Sequence, residues 1–181
     1  MEAGGISIGG AMYREPYLLP YNRDKAVAYA HRWAHDRNPA YLDFENFGGD
    51  CTNFASQVIY SGSGIMNYTP DYGWFYINSW DRTASWTGVN FLYDFLVHNG
   101  GPGPFAEVVD VRDVKPGDIA QLSFQPGNVF NHSPVIVQTG NPPGIDNLLM
   151  AAHTDNQDNY PLTGYTWVNI RFLHILGVRG A

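Results

Sequence analysis

The feature that most constrains the fold is a change of period near Gly100. Before it, apolar residues recur three and four apart; after it, short β-type runs alternate with turn signals. Ala26, Val27, Ala30, Trp33 and Ala34 form one helical stripe behind Asn22, a favourable N-cap, and Pro39 lies beyond its end. Phe54, Ala55, Val58 and Ile59 form a second stripe, which predicts a helix over 51–61 with Gly62 as its C-terminal cap. Val89, Leu92, Phe95 and Leu96 form a third, stopped by Asn99-Gly100. The strand-like runs are Glu107–Val111, Ile119–Phe124, Ser133–Thr139, Leu148–His153 and Thr166–Ile175, separated by breaks such as Lys115-Pro116-Gly117-Asp118 and Asn141-Pro142-Pro143-Gly144. Helices followed by strands predict an α+β chain, with N-terminal helices packed on an antiparallel sheet of about five strands.

The chain length of 181 residues suits one domain. Residues 1–20 are Gly-rich and aperiodic and read as an N-terminal arm; 21–181 read as a single domain. Ten Lys and Arg against 17 Asp and Glu give a net charge of −7, with no basic stripe, which argues against charge-driven nucleic-acid binding. No apolar run has the ~20 residues of a membrane span. Met1 to Gly10 lacks the basic and apolar regions of a signal peptide, so the expected location is cytoplasmic, with cell-wall action if a leader has been removed. Nothing in the composition fixes an oligomeric state.

The chain has one cysteine, so it forms no internal disulfide. Gly48-Gly49-Asp50-Cys51 is a turn feeding the second helix, with Asp50 available as its cap. That puts Cys51 in the first turn, on the face of Phe54 and Ala55. A helix N-terminus favours a thiolate, and its free N–H groups can hold an oxyanion. From position alone, Cys51 is equally well a nucleophile or a buried structural residue.

A nucleophilic cysteine needs a base, most often His, held by a third polar group. His31 and His35 lie on the first helix, His98 near a helix end and His174 in the last strand. His132 opens one strand-like run and His153 closes the next. If those runs pair symmetrically about Asn141-Pro142-Pro143-Gly144, His132 faces His153, with side chains close enough to hydrogen-bond. Asp155, two residues on, is the reserve. The candidate site is therefore Cys51 as nucleophile, His132 as base and His153, or Asp155, as the third residue. The oxyanion donor is the Cys51 N–H, with the Asn46 side chain as a second candidate. A zinc site of Cys51, His132 and His153 has the right atoms but lacks a tight ligand pair, so neither metal nor cofactor is expected.

The connection from Gly62 to Gly88 is long and rich in aromatic residues, the mark of a functional segment. Trp74, Trp80 and Trp86, with Asp50 beside Cys51, are the candidate substrate-binding residues, although core packing is the better account of at least one Trp. If the thiol is unused, the same aromatic groove makes the chain a binding module for glycan or peptide.

Tyr21-Asn22-Arg23-Asp24-Lys25-Ala26-Val27, Gly49-Asp50-Cys51-Thr52-Asn53-Phe54-Ala55-Ser56-Gln57, Pro116-Gly117-Asp118-Ile119, Asn131-His132-Ser133-Pro134-Val135 and Ala152-His153-Thr154 together resemble the bacterial putative amidase domain family. The resemblance runs from about Tyr21 to the C-terminus. That family is related to the NlpC-like and CHAP cell-wall hydrolases. The resemblance implies a papain-like fold, Cys51 as nucleophile, His132 as base and a third polar residue where His153 stands. It also implies amide hydrolysis, with peptides or peptidoglycan fragments as candidate substrates.

Overall fold

A computed structural model describes residues 17–181. The first sixteen residues, most of the expected arm, lie outside the described residues. The chain runs through β1 (Leu18–Leu19), α1 (Arg23–Trp33), α2 (Cys51–Ser63), β2 (Tyr76–Asn78), β3 (Asp81–Arg82), α3 (Ala84–Thr87) and α4 (Val89–His98). It continues through β4 (Gly103–Val109), β5 (Ile119–Ser123), β6 (Val135–Gln138), β7 (Leu149–Ala152), β8 (Gln157–Pro161) and β9 (Asn169–Arg179).

The first helix begins as the sequence predicts: the Asn22 side chain accepts the Lys25 N–H at 3.0 Å. The second runs two residues longer than predicted. It ends where Gly64 turns left-handed at φ 69° and its N–H closes on the Tyr60 carbonyl, while Gly62 lies inside the helix.

The antiparallel sheet holds seven strands in the order β1-β9-β5-β6-β7-β8, with β4 on the other edge of β9. It is larger than the predicted five for two reasons. Leu18 and Leu19, assigned to the arm, pair with Arg179 and Val178 as an edge strand. The polar run Gln157–Pro161 pairs with β7. Side chains alternate across the sheet, so each strand feeds two cores. Ile119, Val135, Ala151 and Leu173 face the helices and pack with Phe54, Ala55, Val58 and Ile59 of α2. Ala120, Ile136, Met150 and Phe172 point the other way, under Leu148 and Leu162.

One buried carboxylate ties α1 to this sheet. Asp118 accepts from Arg23 at 2.7 Å and from the Lys115 and Ile175 N–H groups, and it meets His174 Nδ1 at 2.7 Å. A buried charge persists only when paired and hydrogen-bonded in this way. Among the described residues no helix is long and apolar enough to cross a membrane.

Candidate active site

Cys51 opens α2, as the sequence predicts, and two glycines make the approach possible. Gly48 and Gly49 have φ of 99° and 102°, which a side chain would strain. A Cβ on Gly49 would also lie 3.5 Å from the Thr154 hydroxyl.

The thiol is buried, at 8% exposure. Burial pushes its pKa above the ordinary 9.0. The Thr52 hydroxyl, then the backbone N–H groups of Ser133 and Thr52, act against that rise, while the Asp50 charge adds to it. The resting group is therefore a neutral thiol, where helix position alone predicts a thiolate. Its setting is rigid: Thr52 Oγ1 lies 3.2 Å from Ser133 Oγ, which accepts from Gln121 Nε2 at 3.3 Å. The Gln121 carbonyl accepts two Arg171 N–H groups at 2.9 and 2.6 Å, and that guanidinium lies over the Tyr93 and Phe130 rings.

The Thr52–Ser133 contact brings the segment leading into β6 beside Cys51, and His132 is the residue before Ser133. Its backbone is clamped to β5, donating to the Leu122 carbonyl and accepting the Leu122 N–H at 3.0 Å. The imidazole packs beside Tyr165 and Phe124, with ring centroids 5.4 and 6.3 Å away. Burial pushes its pKa down to about 4, and the Asp155 carboxylate acts in the opposite direction. Among the described residues neither ring nitrogen of His132 has a hydrogen-bond partner, and no hydrogen bond joins it to Cys51. The site at rest is an uncharged thiol and an uncharged imidazole.

His153 does not orient His132. Its Nδ1 is bonded to Asp50 Oδ2, its Nε2 donates to the Trp33 carbonyl at 2.7 Å, and its ring stacks on Phe54 at 4.1 Å. The reason is register. The connection over 139–148 holds a 3₁₀ turn, Ile145–Asn147, and is not the two-residue turn assumed from sequence. Val135 pairs with Ala151 and Ile136 with Met150, so continued pairing places Ser133, not His132, opposite His153. A one-residue slip exchanges the faces. The zinc arrangement fails for the same reason.

The reserve residue is better placed. Past Ala152 the chain reverses through Thr154 and Asp155, both at positive φ (59° and 65°), to bring Gln157 opposite Ala152. A β-branched residue with positive φ costs of order 1–3 kcal/mol and persists only when its surroundings impose it. The Thr154 hydroxyl supplies part of that restraint, accepting the Asp50 N–H at 3.3 Å and donating to Glu45 at 3.4 Å. The turn that carries Asp155 is thereby pinned to Asp50, the residue before Cys51.

Of the expected substrate-binding set, Asp50, Trp74 and Trp86 are buried and only Trp80 is exposed. Asp50 is fully buried; it does not cap α2 with its side chain but accepts from Phe44 N at 2.8 Å and Asn53 Nδ2 at 2.9 Å and pairs with His153. Trp74 and Trp86 are core residues, 4.7 Å apart, whose indole N–H groups donate to Ser56 and Asn53 of α2. Trp80 is 95% exposed, in the turn between β2 and β3. The aromatic segment does border a groove of about 1140 Å³, with Tyr72 and Phe75 facing Phe91 of α4, but Cys51, His132 and Asp155 do not line it. Asn46 is exposed, and among the described residues no hydrogen bond fixes its side chain.

Thr52, Ser133, Gln121, Phe124 and Tyr165 are site residues that sequence reasoning missed. Thr52 and Ser133 directly follow Cys51 and His132, a signal open to view; Tyr165 gives none.

Fold and site together define an α+β domain with a buried thiol at a helix N-terminus, set against a strand that carries an imidazole. The chain belongs to the putative amidase domain family, whose model matches residues 20–176. At that coarse level, membership points to amidase activity. The chain is also 31% identical, over 166 residues, to YhbB, an uncharacterized protein of Bacillus subtilis (strain 168). That match takes in 86% of this chain and 50% of YhbB, so the chain spans about half the length of the curated relative it matches. No solved structure matches.

Proposed function

We propose that this domain is a papain-like cysteine amide hydrolase, with Cys51 as nucleophile, His132 as base and Asp155 as the third residue. One observation carries the reading: Thr52, whose hydroxyl lies 3.7 Å from the Cys51 sulfur, reaches the Ser133 hydroxyl at 3.2 Å, and Ser133 directly follows His132, whose backbone is fixed to Leu122. Substrate binding brings thiol and imidazole into hydrogen-bond contact, since such contacts are often loose in free enzymes. As Cys51 attacks the amide carbonyl, its proton passes to His132 Nδ1 or Nε2. The helix N-terminal N–H groups hold the oxyanion, and His132 protonates the leaving amine. Water, deprotonated by His132, then releases the acyl group. Asp155 stabilises the imidazolium by charge, without contact in the resting site.

Peptidoglycan peptides are the proposed substrate class, and they rest on the resemblance of the sequence motifs to a family related to NlpC-like and CHAP hydrolases. A second reading, a binding module, draws on the groove beside Tyr72 and Phe91, which lies apart from the thiol. Digestion of purified peptidoglycan, with products read by mass spectrometry, tests substrate and bond together. Cys51→Ala and His132→Ala should abolish product, and Asp155→Asn should cost ~10- to 100-fold. Full turnover by Cys51→Ala ends the cysteine-hydrolase reading, and absence of product from the wild type leaves the binding module.

A further inference from the structure

We infer that Tyr165 is a positioning residue for His132: its ring, rather than a hydrogen-bond acceptor, fixes the imidazole and keeps water from it. The inference rests on His132 being the base. Among the described residues no side chain bonds the imidazole, so packing must hold it. Phe124 is the looser neighbour, 6.3 Å away and 40% exposed. Tyr165 is closer, at 5.4 Å and 58°, and is itself held firmly. Its hydroxyl donates to the Gln157 side chain, Tyr160 packs edge-on at 5.1 Å, and its N–H donates to the Leu162 carbonyl at 3.1 Å. Gln157 begins β8, directly after the turn that carries Asp155, so one hairpin places both neighbours of the base.

The groups that face this pocket are the Cys51 thiol from α2, Asp155 from the turn, and Tyr160 and Tyr165 themselves. Burial first, then Tyr160, Cys51 and Asp155, push the Tyr165 hydroxyl pKa upward. The hydroxyl therefore stays protonated and gives up no proton to the reaction; the residue acts through its ring. Stripping that ring away exposes the imidazole, which relieves the desolvation that holds its pKa near 4.

The test is an NMR titration of the histidine ring protons in the whole chain, which needs no turnover. In Tyr165→Ala the His132 midpoint should rise toward 6.5, by about one pH unit or more, while Tyr165→Phe should stay close to the wild type. Neutral imidazole is the active form, so activity is lost as pH falls through its pKa. The acid limb of kcat/KM should therefore move to higher pH in Tyr165→Ala, with kcat down ~10-fold or more and KM little changed. If Tyr165→Ala loses its native circular-dichroism spectrum, Tyr165→Gln replaces it: it fills more of the space than Ala but is polar and brings water to the ring, and the same rise is expected. An unchanged His132 midpoint in whichever variant folds overturns the inference. A hydrolase reading that fails at Cys51→Ala is recognised separately, because the titration still reports the ring contact.

Discussion

Replacing His153 by Ala separates a structural histidine from a catalytic one. The Asp50 carboxylate has two donors on Oδ1, from Phe44 and Asn53, and on Oδ2 the His153 ring, with Arg37 Nε at 3.6 Å. Removing the imidazole leaves Oδ2 buried with only that long contact, and it strips the Trp33 carbonyl of its donor. Leaving a buried carboxylate oxygen without its donor costs about 3 kcal/mol, and an orphaned buried carbonyl about 1–3 kcal/mol. The two donors that remain on Oδ1 soften the first term, and terms within one network do not add. The net expectation is about 3–5 kcal/mol. With an m-value near 2 kcal/mol/M, the urea midpoint falls by about 2 M. Turnover per folded molecule, measured well below that midpoint, should drop less than ~10-fold, because the ring bonds to Asp50 and the Trp33 carbonyl and to neither Cys51 nor His132. A variant within ~0.5 kcal/mol of wild type that loses turnover more than ~100-fold would refute this reasoning and return His153 to the catalytic set.

The raised thiol pKa makes Cys51 a slow target at neutral pH. Its iodoacetamide alkylation should climb with pH through a midpoint above 9.0, because only the thiolate reacts, and a plateau already reached by pH 8 would contradict the burial argument. Trp86→Ala should lower stability by about 3–5 kcal/mol, since it empties a fully buried site and orphans Asn53 Oδ1. Denaturant unfolding measures this, and a stable variant with only a raised KM would put Trp86 back in a substrate groove.

What could be read from the sequence depended on how local each signal is. Asn22 as a cap, Cys51 at a helix start and the antiparallel strand set all follow from residues within a few positions of one another. The partner of His132 did not, because its identity hangs on a register set by the ten-residue path over 139–148, not by the Pro-Pro turn inside it. Asp50 looked like a cap because its neighbours suit one, yet its acceptors are used by Phe44, six residues back, and by His153. Trp74 and Trp86 lie in a segment with no period, and their polar partners Ser56 and Asn53 belong to a different element. β8 was missed because Gln-Asp-Asn-Tyr-Pro is a polar edge strand with no apolar alternation.

The placement of β9 also sets the order of events at the ribosome. This last strand pairs with β4 along one edge and with β5 and β1 along the other, and its Ile175 carbonyl takes an N–H of Arg23 at the start of α1. Until residues 169–179 leave the exit tunnel, β1, β4 and β5 lack the strand that joins them, and Asp118 lacks its Ile175 and His174 partners. The helix that Cys51 opens can form early from local contacts, but the sheet it packs on can close only once β9 is available to it.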